Sequence, residues 1–180
     1  MIKIDKAAFD KVISIQNKGK SKIYVYQSER YIDNNPVKVG TTSNLGINID
    51  HYNATRKQAG TSGIQLGDDI VINVRVTNPS ALAINDLALN VKMPAGWELI
   101  NPRLYETEVI KNKGNYTYQD YKDDRVYTFF DMQAGGSVSY AFKAKAAFTG
   151  DFFMPAVSCE HMYNGSIYAR TGTSRVVIGK

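Results

Sequence analysis

The residues best suited to covalent chemistry are a single cysteine, Cys159, and two histidines, His51 and His161. Cys159 and His161 are two positions apart, and on a strand such residues point to the same side of the sheet. A thiolate nucleophile also needs a group that orients the imidazole and an oxyanion hole, and the sequence identifies neither. We therefore interpret Cys159 as a packed thiol beside a loop histidine, and we expect no catalytic residue and no enzymatic activity.

The densest group of carboxylates is formed by Asp120, Asp123 and Asp124. A hard cation such as calcium prefers six or more oxygen ligands, and this spacing lacks the alternating ligands and final glutamate of a calcium-binding loop. Lys122 and Arg125 lie among these carboxylates, so ion pairs at the entrance of a strand are the better interpretation. The sequence contains no G-x-G-x-x-G, H-E-x-x-H or C-x-x-C motif. We expect neither a metal site nor a cofactor.

Tyrosine is abundant, with 12 residues, and three of them form a dense group: Tyr116, Tyr118 and Tyr121. Tyrosines on one face can stack against a sugar, which would make the chain a cell-surface adhesive or carbohydrate-binding module. They can equally be the outward residues of a hairpin at the edge of a sheet. We prefer the hairpin and keep the carbohydrate-binding module as the alternative function.

The net charge of +5 results from 22 Lys and Arg against 17 Asp and Glu. The basic residues are scattered, and their only local concentration, Lys18, Lys20 and Lys22, has no aromatic platform beside it, so we expect no nucleic-acid partner. A single cysteine excludes an internal disulfide and does not decide the compartment. The chain has no run of about 20 apolar residues and its first residues lack a secretory signal, so any export signal is expected in a longer parent.

The elements that must position these side chains are strands, because the dominant hydrophobic period is two. Turn residues such as Gly67-Asp68 and Asn78-Pro79 separate the runs. Roughly nine short strands without a long helical segment predict an all-β fold, an antiparallel β-sandwich of immunoglobulin-like or fibronectin-like two-sheet architecture with extra N-terminal strands. The clearest alternating runs are Ile70–Val76, Leu87–Met93, Val126–Met132, Val138–Phe148 and Arg175–Ile178.

A change of pattern between Tyr31 and Gly46 marks a seam in the chain. Asn34, Asn35 and Pro36 do not easily continue a central strand, and the Gly, Thr and Ser that follow are typical of a linker. We therefore assign residues 1–42 to a few strands and a linker, and residues 43–180 to the sandwich. Two or three strands are not stable alone, so the first strands are expected to complete another sheet or to pack on the sandwich.

Three segments carry motifs in a characteristic order. The first contains LGDDIVINV from Leu66 and MPAGWELINPRL from Met93; the second is DDRVYTFF from Asp123; the third contains TGDFFMPA from Thr149 and EHMYN from Glu160. Together these segments resemble the carboxy-terminal end of bacterial alpha-2-macroglobulins, the large protease-trapping proteins of the cell envelope. The resemblance extends over residues 47–180 and depends on the order and spacing of all three segments.

This resemblance implies a carboxy-terminal macroglobulin-like domain at residues 43–180, with residues 1–42 completing the sheet of a preceding CUB-like domain. In members of the family that carry it, a thioester made from a C-x-E-Q motif is protected from water until a protease cuts a bait region. The resemblance implies that Met162 and Tyr163 contribute to the apolar cover of the thioester domain. Trp97 is the third expected contact residue, because a Trp after a turn is expected to be partly exposed. The other interpretation is that Met162 and Tyr163 only cap the sandwich.

The chain has no C-x-E-Q motif, and 180 residues leave no room for a bait region or a helical thioester domain. The resemblance thus implies a non-enzymatic part of a longer protease inhibitor. Its expected partners are the thioester domain and the neighbouring macroglobulin-like domains of the parent chain, and target proteases through the full-length protein. The implied location is the periplasm or cell envelope, with anchoring through a lipoprotein parent and no membrane contact by these residues.

Overall fold

The computed structural model describes residues 16–24, 40–102 and 115–180. The chain divides into two compact units, Met1–Asn34 and Asn35–Lys180. In the first unit, the side chain of Asn17 accepts a hydrogen bond from the Gly19 amide at 2.9 Å and donates one to the Ser21 carbonyl at 2.7 Å. Most of residues 1–42, namely 1–15 and 25–39, lies outside the described residues, so the assignment of this segment to a CUB-like sheet and a linker stays a prediction.

The described residues of the second unit form strands, as the alternating pattern predicted, and the all-β fold class is confirmed. None of the described residues belongs to a helix that could cross a membrane. The strands are β1 (Thr41–Ser43), β2 (Gly46–Asn53), β3 (Gln58–Ala59), β4 (Ile64–Gln65), β5 (Asp69–Thr77), β6 (Ile84–Lys92), β7 (Trp97–Ile100), β8 (Tyr118–Tyr121), β9 (Arg125–Met132), β10 (Ser137–Ala146), β11 (Gly150–Met154), β12 (Ser158–His161), β13 (Asn164–Arg170) and β14 (Ser174–Gly179).

These strands form three sheets. A six-stranded sheet has the order β1-β13-β12-β6-β9-β8, a five-stranded sheet has the order β3-β2-β5-β10-β7, and a small sheet has the order β11-β14-β4. All pairs of neighbouring strands are antiparallel except β14 and β4. Antiparallel sheets with one buried face produce the alternation seen in the sequence, and the predicted antiparallel sandwich is confirmed.

One hydrophobic core joins the three sheets. Phe130 on β9 and Tyr140 on β10 meet in an edge-to-face contact at 5.3 Å, so the six-stranded and five-stranded sheets pack against each other. Val176 and Ile178 of β14 are buried in the same cluster, which adds the small sheet to the core. The even-numbered residues of β5 are buried and the odd-numbered ones are more exposed, because successive side chains of a strand point to opposite faces.

The turn before β7, at one end of the sandwich, is formed by Pro94 and Gly96. The Trp97 amide donates a hydrogen bond to the Pro94 carbonyl at 3.0 Å, and this tight turn brings the backbone of Gly96 against the ring of Phe152. A Cβ at position 96 would overlap that ring and the Ile178 side chain. Glycine at this position therefore allows β7 to approach β11 and β14.

Candidate functional site

The predicted contact residues Met162 and Tyr163 form the tip of a hairpin between β12 and β13. His161 pairs with Asn164, so the connection has two residues, the shortest common hairpin loop. The side chains at the tip are exposed, with relative exposures of 44% for Met162 and 81% for Tyr163. The structure thus presents a thioether and a phenol together at the end of the six-stranded sheet.

The backbone of this tip is tied to two neighbouring groups. The Met162 amide donates a hydrogen bond to the Asp86 carbonyl at 2.9 Å, and the Tyr163 amide donates one to Nδ1 of His161 at 3.0 Å. Asp86 lies at an irregularity of β6 and has a positive φ of 54°, a conformation that Asp tolerates better than most residues. The sequence analysis did not identify Asp86 as a support of this tip, because the contact joins residues that are distant in the chain.

Trp97 is buried, with a relative exposure of 5%. The expectation that this side chain is partly exposed is wrong, because the turn at Pro94 and Gly96 directs it into the core. Its ring lies 5.8 Å from that of His51, in the five-stranded sheet, whereas Met162 and Tyr163 extend from the six-stranded sheet. Trp97 therefore lacks the exposure on which its predicted contact role was based, and that role stays a prediction.

His51 contacts Trp97 from the interior side of β2. Burial lowers the pKa of the His51 imidazole, and the negative charge of Asp50 only partly opposes this effect. The half-buried imidazole meets the indole ring edge-on, which is a packing contact. His51 thus contributes to packing on the five-stranded sheet.

Cys159 and His161 do not form a reactive pair. Cys159 is fully buried on β12, and burial raises the pKa of its thiol to about 12, with a smaller contribution from the charge of Glu160. Because the thiolate is the nucleophile, such a cysteine is unreactive near neutral pH. His161 lies beyond a register shift at the end of the same strand, where its Nδ1 accepts the Tyr163 amide hydrogen.

The acidic group before β9 forms the ion pairs that the sequence predicted. Arg125 makes a forked bond to Asp124, with Nε at 2.8 Å from Oδ1 and Nη2 at 2.5 Å from Oδ2. The ammonium of Lys122 lies 2.9 Å from a carboxylate oxygen of Asp120. Hydrogen bonding to Arg125 lowers the pKa of Asp124 even though burial opposes this change. These contacts lie at the turn between β8 and β9, where β9 begins.

The three clustered tyrosines do not share a face. Tyr118 is exposed and stacks on Phe129 at 6.2 Å across the pair of β8 and β9, whereas Tyr121 packs against the core. Tyr116 contacts the buried ring of Tyr140 edge-on at 6.5 Å. Among the described strands, β8 lies at the edge of the six-stranded sheet and forms a hairpin with β9, as predicted. The expectation that all three tyrosines face outward is wrong for Tyr121, so Tyr116, Tyr118 and Tyr121 do not form one sugar platform.

A shallow groove of about 300 Å³ opens on the outer face of the six-stranded sheet. Its walls come from the β12–β13 hairpin and from β6, which pairs with β12 but is distant from it in the sequence, so sequence patterns had no means of finding it. The polar residues that line it are Lys92, Ser158, Glu160, Tyr168 and Arg170.

The comparison that decides the family is a match of residues 27–165 to the model of the bacterial alpha-2-macroglobulin MG10 domain. The match includes most of the chain and all of β1 to β12. The chain belongs to this family. The motifs from Leu66 to Met162 thus mark an alpha-2-macroglobulin domain, and the predicted family resemblance is confirmed.

Two curated proteins illustrate how small a part of its relatives this MG10 domain is. It is 25% identical over 138 residues to the alpha-2-macroglobulin of Rickettsia conorii, which covers 74% of this chain and 7% of that protein. It is 21% identical over 174 residues to circularly permutated Ras protein 2 of Dictyostelium discoideum, which covers 91% of this chain and 4% of that protein. The chain therefore spans less than a tenth of the length of either relative.

Solved alpha-2-macroglobulin structures contain the same fold as this MG10 domain. The Salmonella protein reacted with methylamine matches 78% of this chain and 10% of its own, with a TM-score of 0.67 and 20% identity. The Escherichia coli protein activated by porcine elastase matches 79% of this chain and 14% of its own, with a TM-score of 0.70 and 19% identity. At this identity the likeness shows the fold alone.

Proposed function

We propose that this MG10 domain is part of a longer alpha-2-macroglobulin that inhibits proteases, and that its Met162–Tyr163 tip covers a thioester in a neighbouring domain of the parent. The observation that carries the proposal is the exposure of Met162 and Tyr163 together at the end of a supported two-residue hairpin. Membership of the MG10 family supplies the context.

The chemistry of the tip supports this role. A thioester hydrolyses when water reaches it, so its cover must exclude water without attacking the bond itself. A thioether and a neutral phenol do both, because neither is a nucleophile of consequence near neutral pH and both have apolar surface. Of the solved relatives, the Salmonella protein was reacted with methylamine, a small amine nucleophile, and the Escherichia coli protein was activated by the protease elastase.

The same proposal assigns the partners of this domain. The thioester domain and the adjoining macroglobulin-like domains of the parent would contact it, and target proteases would be reached only through the full-length protein. The parent would be exported and held at the periplasmic side of the cell envelope by a lipid anchor. The domain itself is proposed to be a non-catalytic support, which agrees with the unreactive thiol of Cys159.

The experiment compares full-length parent proteins that differ only at the tip. We expect Met162→Ala together with Tyr163→Ala to increase the rate of thiol release by methylamine, because water and small amines gain access to the thioester. Opening a buried contact of two large side chains removes about 2–5 kcal/mol of apolar stabilisation, so an increase of tenfold or more is expected. Thiol release is followed with a chromogenic disulfide reagent.

The matched control is Phe148→Ala, which removes another exposed aromatic side chain, 65% exposed, from the connection between β10 and β11. This variant should release thiol at the wild-type rate. If the tip variant and the control both release thiol at the wild-type rate, Met162 and Tyr163 do not shield the thioester, and the tip only caps the sandwich.

A further inference from the structure

The tip of the β12–β13 hairpin contacts the side chain of His161 at two points. The ring of His161 lies directly before Met162, and its Nδ1 accepts the backbone hydrogen of Tyr163 at 3.0 Å. The same ring meets the phenol ring of Tyr163 edge-on, with 6.2 Å between centroids and an interplanar angle of 76°. One imidazole thus touches both the backbone and the side chain of Tyr163.

This hydrogen bond requires an available lone pair on Nδ1 of His161. Nδ1 can accept a hydrogen only when the proton of the neutral ring is on Nε2. The bond joins residues two positions apart, so it closes a small local ring around Met162. Such a bond restrains the backbone of Met162 and the direction in which the side chain of Tyr163 leaves it.

A second restraint acts on the other side of the tip. The Met162 amide donates to the Asp86 carbonyl, and the Asp86 amide donates to Oδ1 of Asp131 at 2.9 Å. Both backbone amides of the tip are thus hydrogen-bonded, although its two side chains are exposed. Ordering a backbone costs conformational entropy, and these bonds offset part of that cost where the exposed side chains add little burial.

We propose that His161 is a positioning residue that holds the Met162–Tyr163 tip in its projecting conformation through the acceptor at Nδ1. Its importance for thioester protection rests on the function proposed above. The restraint itself is a property of this chain and is testable without a thioester.

Two substitutions separate the acceptor from the ring. His161→Asn keeps an acceptor, since Oδ1 of Asn bonds an amide two residues on in the same way as in an Asx turn, and it removes the ring. His161→Phe keeps a ring against Tyr163 and removes the acceptor. His161→Leu removes both, and it repeats the acceptor test if Phe at the strand end alters the fold. Fluorescence of the buried Trp97 reports whether each variant is folded.

Amide hydrogen exchange of Tyr163 in the folded chain measures the restraint. We expect His161→Phe and His161→Leu to exchange about three- to tenfold faster than the wild type, as the loss of one hydrogen bond predicts, and His161→Asn to stay within about twofold. If all three variants exchange like the wild type, or if His161→Asn is as fast as His161→Phe, the acceptor does not position the tip and the proposal is overturned.

Thiol release from the full-length parent then distinguishes this proposal from the proposed function. With both correct, His161→Phe releases thiol about three- to tenfold faster than the wild type, and His161→Asn restores slow release. If exchange changes as expected while neither His161→Phe nor the tip variant alters thiol release, His161 still positions the tip and the shielding function fails. If the tip variant releases thiol faster than the wild type and the His161 variants leave Tyr163 amide exchange unchanged, the shielding function is supported and the positioning role of His161 is overturned.

Discussion

At the residue scale, Asp68 shows how one buried side chain joins two successive loops of the chain. Its Oδ2 accepts hydrogen bonds from the Asn53 amide group at 2.8 Å, from Nε of Arg56 at 2.7 Å and from the Gln65 backbone amide at 2.9 Å. The side chain is only 5% exposed. These bonds connect the end of β2 with the turn between β4 and β5.

Replacing Asp68 with Asn should destabilise the domain. The substitution keeps the shape of the side chain but places an amide where a charged acceptor is required, and hydrogen bonds to charged groups contribute about 1.5–3 kcal/mol each before compensation. We expect the free energy of unfolding to fall by about 2 kcal/mol. Urea denaturation of the two proteins measures this difference. A decrease of less than about 0.5 kcal/mol in the free energy of unfolding would show that the loops keep their structure without this carboxylate.

The same carboxylate should make stability depend on pH. Burial opposes the ionisation of Asp68, but hydrogen bonds from Gln65, Asn53 and Arg56 outweigh it and lower its pKa. The unfolded chain therefore binds this proton at a higher pH than the folded chain, so the stabilisation is present above about pH 4 and is lost as the pH falls through the folded pKa. The stability difference between wild type and Asp68→Asn should shrink toward acid; a difference that is constant with pH contradicts this.

At the element scale, the close approach of β7 to the small sheet depends on Gly96. A methyl group there would meet the ring of Phe152 and the side chain of Ile178, and overpacking of this kind costs about 1–3 kcal/mol. Gly96→Ala should lower the free energy of unfolding by that amount in urea denaturation. Gly165→Ala on β13 is the matched control, because a Cβ there meets nothing within 4 Å. Equal changes in the free energy of unfolding for the two substitutions would mean that backbone entropy, not packing, determines the effect of Gly96→Ala.

The strands themselves were predicted well where one face is fully buried. The alternating runs Ile70–Val76 and Val138–Phe148 predict β5 and β10, although β10 ends at Ala146 and Phe148 is exposed in the connection that follows. Short strands such as β3 and β4, of two residues each, were not predicted, because two residues cannot show a period. They exist because neighbouring strands offer hydrogen-bonding edges to them.

At the scale of the whole molecule, the shared core should make residues 35–180 unfold as one unit. Phe130 and Tyr140 join the two large sheets, and the small sheet enters the same cluster through Val176. Trp97, the single Trp of the chain, is buried in this core and reports on it alone. Trp fluorescence and far-ultraviolet circular dichroism should give the same denaturation midpoint. Two separate midpoints would show that one sheet opens independently.

The sequence by itself determined the fold class, the family and the ion-paired entrance of β9, because each depends on short-range spacing: alternation with a period of two, ordered motifs, and an Arg directly after an Asp. Only the tertiary structure decided that Trp97 is buried and that Asp86 supports the tip at Met162. Those outcomes depend on which strands become neighbours. Pairing of distant segments places a side chain against partners that its own sequence neighbourhood does not contain.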